Sequence, residues 1–111
     1  KRSQIKKINH VVIITSKVSF YQGAAATKLL ELGADISIVA GKEKELTTLS
    51  SRAETLFKEK NKFNLMKDLM VPLQKEISGE VGGHSGAAQW KGIASEKKVI
   101  SVALKILEKK L

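Results

Sequence analysis

Four consecutive β-branched residues, Val11-Val12-Ile13-Ile14, leave this chain least choice of structure. A run of that length with no polar position is a strand rather than a helix, and it suits a strand buried on both faces. It predicts a strand over His10 to Thr15. From Tyr21 the sequence turns to Ala24-Ala25-Ala26-Thr27-Lys28-Leu29-Leu30-Glu31-Leu32 and stops at Gly33, a helix with a glycine at its C-terminal end. Asp35 to Ala40 alternates toward a second strand, and the polar stretch Gly41 to Glu45 suits a hairpin turn. Leu46 to Arg52 should then return antiparallel.

Asn64 can cap a helix through Leu65, Met66, Leu69 and Met70, and Pro72, which lacks an amide donor, should end or kink it. Ala87 to Lys91 reads as a short strand. Glu96 to Leu111 is amphipathic, with Val99, Ile100, Ala103, Leu104, Ile106 and Leu107 on one side. Together these segments predict an α/β fold: a single domain over residues 1–111, with a mixed β-sheet of about four to five strands flanked by helices. The sequence contains no internal repeat, low-complexity tract or linker.

The formal net charge is +9, most of it from lysine in Lys6-Lys7, in Lys58 to Lys62, along the last helix and in the Lys1-Arg2 pair. Such a balance favours polyanionic partners through counterion release, although lysine-rich faces also serve solubility alone. The chain has no cysteine, which excludes disulfides and thiolate zinc sites. No apolar run reaches membrane-spanning length and no secretory signal is visible, so a cytoplasmic protein with no membrane partner is expected. The start at Lys1, without an initiator methionine, leads us to expect a fragment of a larger protein.

Gly82-Gly83-His84-Ser85-Gly86-Ala87-Ala88 carries the clearest chemical signal. Consecutive glycines let backbone amides approach an oxyanion, and His84 can donate to the same anion. Ser85 can donate its hydroxyl to phosphate or cap its own turn. Arg52, at the end of a strand, has a planar fork that grips phosphate bidentately, or it can pair with a surface carboxylate such as Glu54. Period-two geometry puts Ser50 on the face of Arg52 and turns Ser51 to the other.

Ser50-Ser51-Arg52 followed by Gly-Gly-His-Ser-Gly-Ala-Ala resembles the C-terminal DHH-associated domain of DHH-family phosphoesterases, a family that includes RecJ-like exonucleases. The resemblance spans about residues 24–92 and rests on two separated motifs in the right order. Departures are Ala53 in place of a serine, Glu80-Val81 where the family often carries further glycines, and Gln89 in place of a glycine. The resemblance implies a lobe that binds substrate, with Ser50, Arg52, Gly82, Gly83, His84 and Ser85 holding its phosphate. It implies single-stranded nucleic acid or a short oligonucleotide as partner, and an N-terminal DHH catalytic domain whose Mn or Mg performs the hydrolysis.

No catalytic residue, cofactor or metal is expected in this domain. Its histidines are His10 and His84 and its aspartates Asp35 and Asp68, too few for a divalent-metal centre. One histidine without metal or nucleophile is a weak catalyst for so inert a bond as a phosphodiester. Two other functions stay open: a tRNA-binding or oligomerisation module like that of alanyl-tRNA synthetase, and a protein-interaction domain with a vestigial phosphate loop. Trp90 can stack on a base or pack half-buried, and Phe20 and Tyr21 are expected in the core or at its entry.

Overall fold

The β-branched run opens β2 (Val11–Lys17) in a computed structural model that describes residues 3–111. Lys1-Arg2 lies outside the described residues. Ahead of β2, β1 (Ser3–Ile8) pairs with it antiparallel across Asn9 and His10, whose φ values of 47° and 73° match the twist of a two-residue hairpin. The alanine-rich segment forms α1 (Gln22–Glu31) and ends before Gly33, at φ 113°. Helix α1 is the crossover that allows β3 (Ile36–Glu43) to lie parallel to β2. β4 (Leu46–Ala53) then returns antiparallel to β3, as its hairpin signal predicted.

Helix α2 (Thr55–Asn61) follows, capped by Glu54, whose Oε1 accepts from the Phe57 amide at 2.7 Å. The segment that Asn64 introduces does not stop at Pro72. A π-helical turn (Met66–Met70) leads into α3 (Val71–Ile77), whose first turn holds the proline. Its missing amide costs little there, and the wider turn just before it takes up the distortion. The chain continues through β5 (Glu80–Gly83), β6 (Ala87–Gly92) and α4 (Glu96–Lys110), where Ser95 Oγ accepts from the Lys98 amide.

The sheet is mixed, with strand order β1-β2-β3-β4-β6-β5. An α/β sheet flanked by helices is therefore what the molecule has, with β1 and β5 as edge strands bringing the strands to six. Gly82 and Gly83, read as loop, form the end of β5, because pairing with Gln89 and Ala88 extends the hairpin through them. Among the described residues no helix is long and apolar enough to cross a membrane.

Each face of the sheet has its own cover. One carries Ile13, Ile36, Ile38, Leu49, Ala88 and Trp90, buried against Phe57, Leu69, Leu73, Val99, Ala103 and Leu107 of the helices. Trp90 is 0% exposed and its Nε1–H donates to the Ser78 carbonyl at 2.5 Å, so it packs in the core and is closed to a base. The other face is thinner: Ile14 and Val39 meet Ala26 and Leu29 of α1. That small cluster is complete without aromatic side chains. Phe20 and Tyr21, expected in the core or at its entry, are instead 76% and 83% exposed.

Candidate anion-binding cleft

Period-two geometry decides which side chains share the thinner face. Register aligns Arg52 with Ala87, Ser50 with Gln89 and Gly82, and Thr48 with Lys91 and Glu80, so these rows face the same side as Ile14 and Val39. Helix α1 covers that side over β3 and β4, and Ile14 of β2 reaches it from the flank. Beside its N-terminal turn, the part over the remainder of β4, β6 and β5 stays open as a cleft of about 530 Å³. Ser50, Arg52, Gly82 and Gly83 line it, together with Tyr21, Gln22 and Gly23 of the α1 entry and Glu43 and Lys91 at the rim. Ser51 turns to the opposite face, where its Oγ–H donates to the Ser37 carbonyl at 2.7 Å.

Arg52 is half-buried against the first turn of α1: a Cβ on Gly23 would stand 3.0 Å from its Nη2. Its Nη1 donates to the Ser51 carbonyl at 3.2 Å, and among the described residues no carboxylate lies within ion-pair distance of it. Glu54, the alternative partner, is occupied as the cap of α2. The helix turn above the guanidinium has free amides as well. Its N-cap, Tyr21, supplies no side-chain hydrogen bond, and the first turn contains no acidic residue. A cation beneath uncapped amides makes this corner attractive to an anion.

The glycines bring backbone to the same opening. A Cβ on Gly82 would meet nothing within 4 Å, whereas one on Gly83, at φ 124°, would stand 2.4 Å from the Ala87 carbonyl oxygen. Only glycine fits at position 83 without strain. His84 and Ser85 do not line the cleft; they form the hairpin tip beside it. The His84 amide donates to the Ala87 carbonyl at 2.8 Å, which keeps the tip next to the Arg52 row. His84 Nδ1 accepts from the Gly86 amide at 3.3 Å, so in the neutral ring the proton sits on the exposed Nε2.

Ser85 neither caps its own turn nor stands free: its Oγ accepts from Lys58 Nζ of α2 at 3.1 Å. Backbone bonds from Leu65 to Ser85 and from Ala53 to Gly86 tie the tip to its surroundings. The sequence reading missed Lys58, Lys91, Glu43 and the α1 entry. Alternation continued from Arg52 through Ser50 to Thr48 would have marked the strand face. The α1 residues belong to another element, and only the parallel crossover sets them above it.

No cluster of three potential metal ligands occurs among the described residues. Asp35 Oδ2 accepts from the Val12 amide, and Asp68 accepts from the Asn64 amide and faces Lys110 at 3.4 Å.

No family model matches the chain. An uncharacterized protein of Methanocaldococcus jannaschii is 31% identical over 116 aligned positions, covering 98% of this chain and 34% of the relative. The chain thus spans about a third of the length of the curated relative it matches. Among solved structures, the C-Ala domain of Aquifex aeolicus alanyl-tRNA synthetase superposes with a TM-score of 0.71 at 12% identity, over 95% of this chain and 98% of that domain. The DHH domain of a member of the s1p family of ribosomal proteins gives 0.63 at 16% identity, over 96% and 28% of the two chains. The pGpG-specific phosphodiesterase PggH from Vibrio cholerae gives 0.52 at 16% identity, over 96% and 35%. These superpositions, each over 95% or more of the chain, show what the sequence resemblance implied: the chain has the fold of a DHH-associated domain.

Proposed function

We propose that this domain binds nucleic acid, and that its cleft holds one phosphate of a single strand or short oligonucleotide for a separate catalytic lobe of a DHH-family, RecJ-like phosphoesterase. The observation that carries the reading is the half-buried Arg52 guanidinium, which has no carboxylate partner among the described residues and lies under the uncapped first turn of α1, at one opening with Ser50, Gly82 and Gly83. His84 and Ser85, at the rim, extend the donor set. Hydrolysis would belong to an N-terminal DHH domain carrying Mn or Mg, in the cytoplasm. Two neighbours in which a domain of this fold occupies about a third of a longer chain support that division of labour.

A titration followed at backbone amides tests the reading. Addition of a 5′-phosphorylated single-stranded oligonucleotide should shift the amides of Gly23, Gly82 and Gly83, with an affinity that falls as salt rises. Amides unmoved at saturation, or an affinity flat in salt, would contradict it. A second reading has its own support, since the C-Ala domain belongs to an alanyl-tRNA synthetase and matches over nearly its whole length. Structured tRNA bound more tightly than the single strand would favour that tRNA-binding or oligomerisation role. Binding of neither would leave a protein-interaction domain with a vestigial phosphate loop.

Within the cleft one charge opposes the anion. Glu43 Oε1 lies 3.5 Å from Lys91 Nζ, so it both adds negative charge and engages a cation. Glu43→Gln is expected to tighten oligonucleotide binding by about 2- to 5-fold, the scale of an exposed charge pair. Isothermal titration of the variant checks this, and weaker binding would place the phosphate elsewhere.

A further inference from the structure

We infer that Tyr21, supported by Phe20, is a stacking platform for the nucleobase attached to the bound phosphate, so that the cleft selects a nucleotide over a plain sugar phosphate. This rests on the cleft reading above and adds a second half to the site. Two adjacent aromatic rings that are 83% and 76% exposed lie with centroids 6.5 Å apart and planes tilted by 54°. The core beneath them is complete without either ring. Tyr21 lines the cleft, and as the N-cap of α1 it adjoins the same first-turn amides that lie above Arg52.

The backbone sets that placement. Tyr21 has φ 59°, a conformation uncommon for a bulky residue and one that must be held by its surroundings. The chain enters α1 through this strained residue rather than through Ser19, a good capping type two positions earlier. An exposed aromatic beside cations suits a base whose phosphate is anionic: the ring offers a π-face, and Arg52 and Lys91 lie in the same cleft. Trp90, which the sequence offers for stacking on a base, is sealed in the core.

Ribose 5-phosphate and a 5′-phosphorylated dinucleotide separate the two halves. Tyr21→Gly keeps the positive φ accessible and is expected to weaken the dinucleotide by about 5- to 100-fold, the loss of one base–aromatic stack, with ribose 5-phosphate unchanged. Tyr21→Trp should retain dinucleotide affinity. Because the sequence has one tyrosine, 3-fluorotyrosine reports a single ¹⁹F resonance, which should move with the dinucleotide and not with ribose 5-phosphate. If Tyr21→Gly binds the dinucleotide as tightly as the unaltered chain while Arg52→Ala binds it weakly, the platform is refuted and the phosphate cleft stands. Equal losses for both ligands refute it too, since Tyr21 would then only shape the helix start. If Arg52→Ala loses nothing either, both readings fall together.

Discussion

Arg52→Ala should lower the affinity for a 5′-phosphorylated oligonucleotide by about 10- to 150-fold, the cost of removing a charged hydrogen-bonding group from a phosphate. The thermal unfolding curve should barely move. Arg52 makes one protein hydrogen bond, at 3.2 Å to its neighbour's carbonyl, and no ion pair among the described residues, so the folded state uses it little. Arg52→Lys should recover only part of the loss, because an ammonium keeps the charge but not the planar fork. Fluorescence anisotropy at fixed salt measures both variants. A loss under about 2-fold in Arg52→Ala, less than one exposed charge pair is commonly worth, would remove Arg52 from the site.

The opposite profile is expected one strand away. Trp90→Ala should cost about 3–5 kcal/mol of stability and lower the melting temperature by more than about 12 °C. The indole is fully buried, its N–H satisfies the Ser78 carbonyl, and it is walled by glycines: a Cβ on Gly79 would stand 2.4 Å from Nε1 and one on Gly92 2.5 Å from Cζ2. Little could collapse into the space it leaves. Urea denaturation checks the prediction, and a loss below about 1 kcal/mol would mean that the pocket refills. With Arg52→Ala, this variant separates a residue kept for binding from one kept for folding.

Local chemistry made the inner strands and three of the helices legible. Consecutive β-branched residues, a glycine stop at Gly33 and the hairpin signal at 41–45 are short-range statements, and β2, α1, β3 and β4 follow them. The faces of Ser50, Ser51 and Arg52 were legible too, because strand parity needs no tertiary information. What the sequence concealed depends on neighbours. β1 is a polar edge whose residues are mostly exposed, so it has no apolar alternation to announce it. β5 exists because β6 lies beside it; two of its four residues are glycines, which read as loop in isolation. Helix α2 begins at a cap, Glu54, that the sequence offered only as an alternative partner for Arg52.

The site divides in the same way. Its strand face could be inferred by counting, whereas the α1 entry reaches it only through the parallel crossover. An aromatic residue just before a helix is expected in the core or at its entry, and Tyr21 is in neither. Here small residues, Ala26 and Ala34, complete the packing and leave the ring outside.

The sheet ends in open rims at β1 and β5, and this bears on how the protein behaves when crowded. An unpaired rim is a template for another copy, and the molecule discourages such templating differently at each end. Along β1, Lys6 is engaged by Glu108 at 3.0 Å, whereas Lys7 on the other side of the ribbon has no ion pair among the described residues, so a second rim laid alongside would bring Lys7 against its like. Along β5 only four residues are available to pair. The first safeguard is electrostatic and weakens as salt rises, while the second is geometric and does not. Concentrated samples at high ionic strength should therefore associate through β1 before β5.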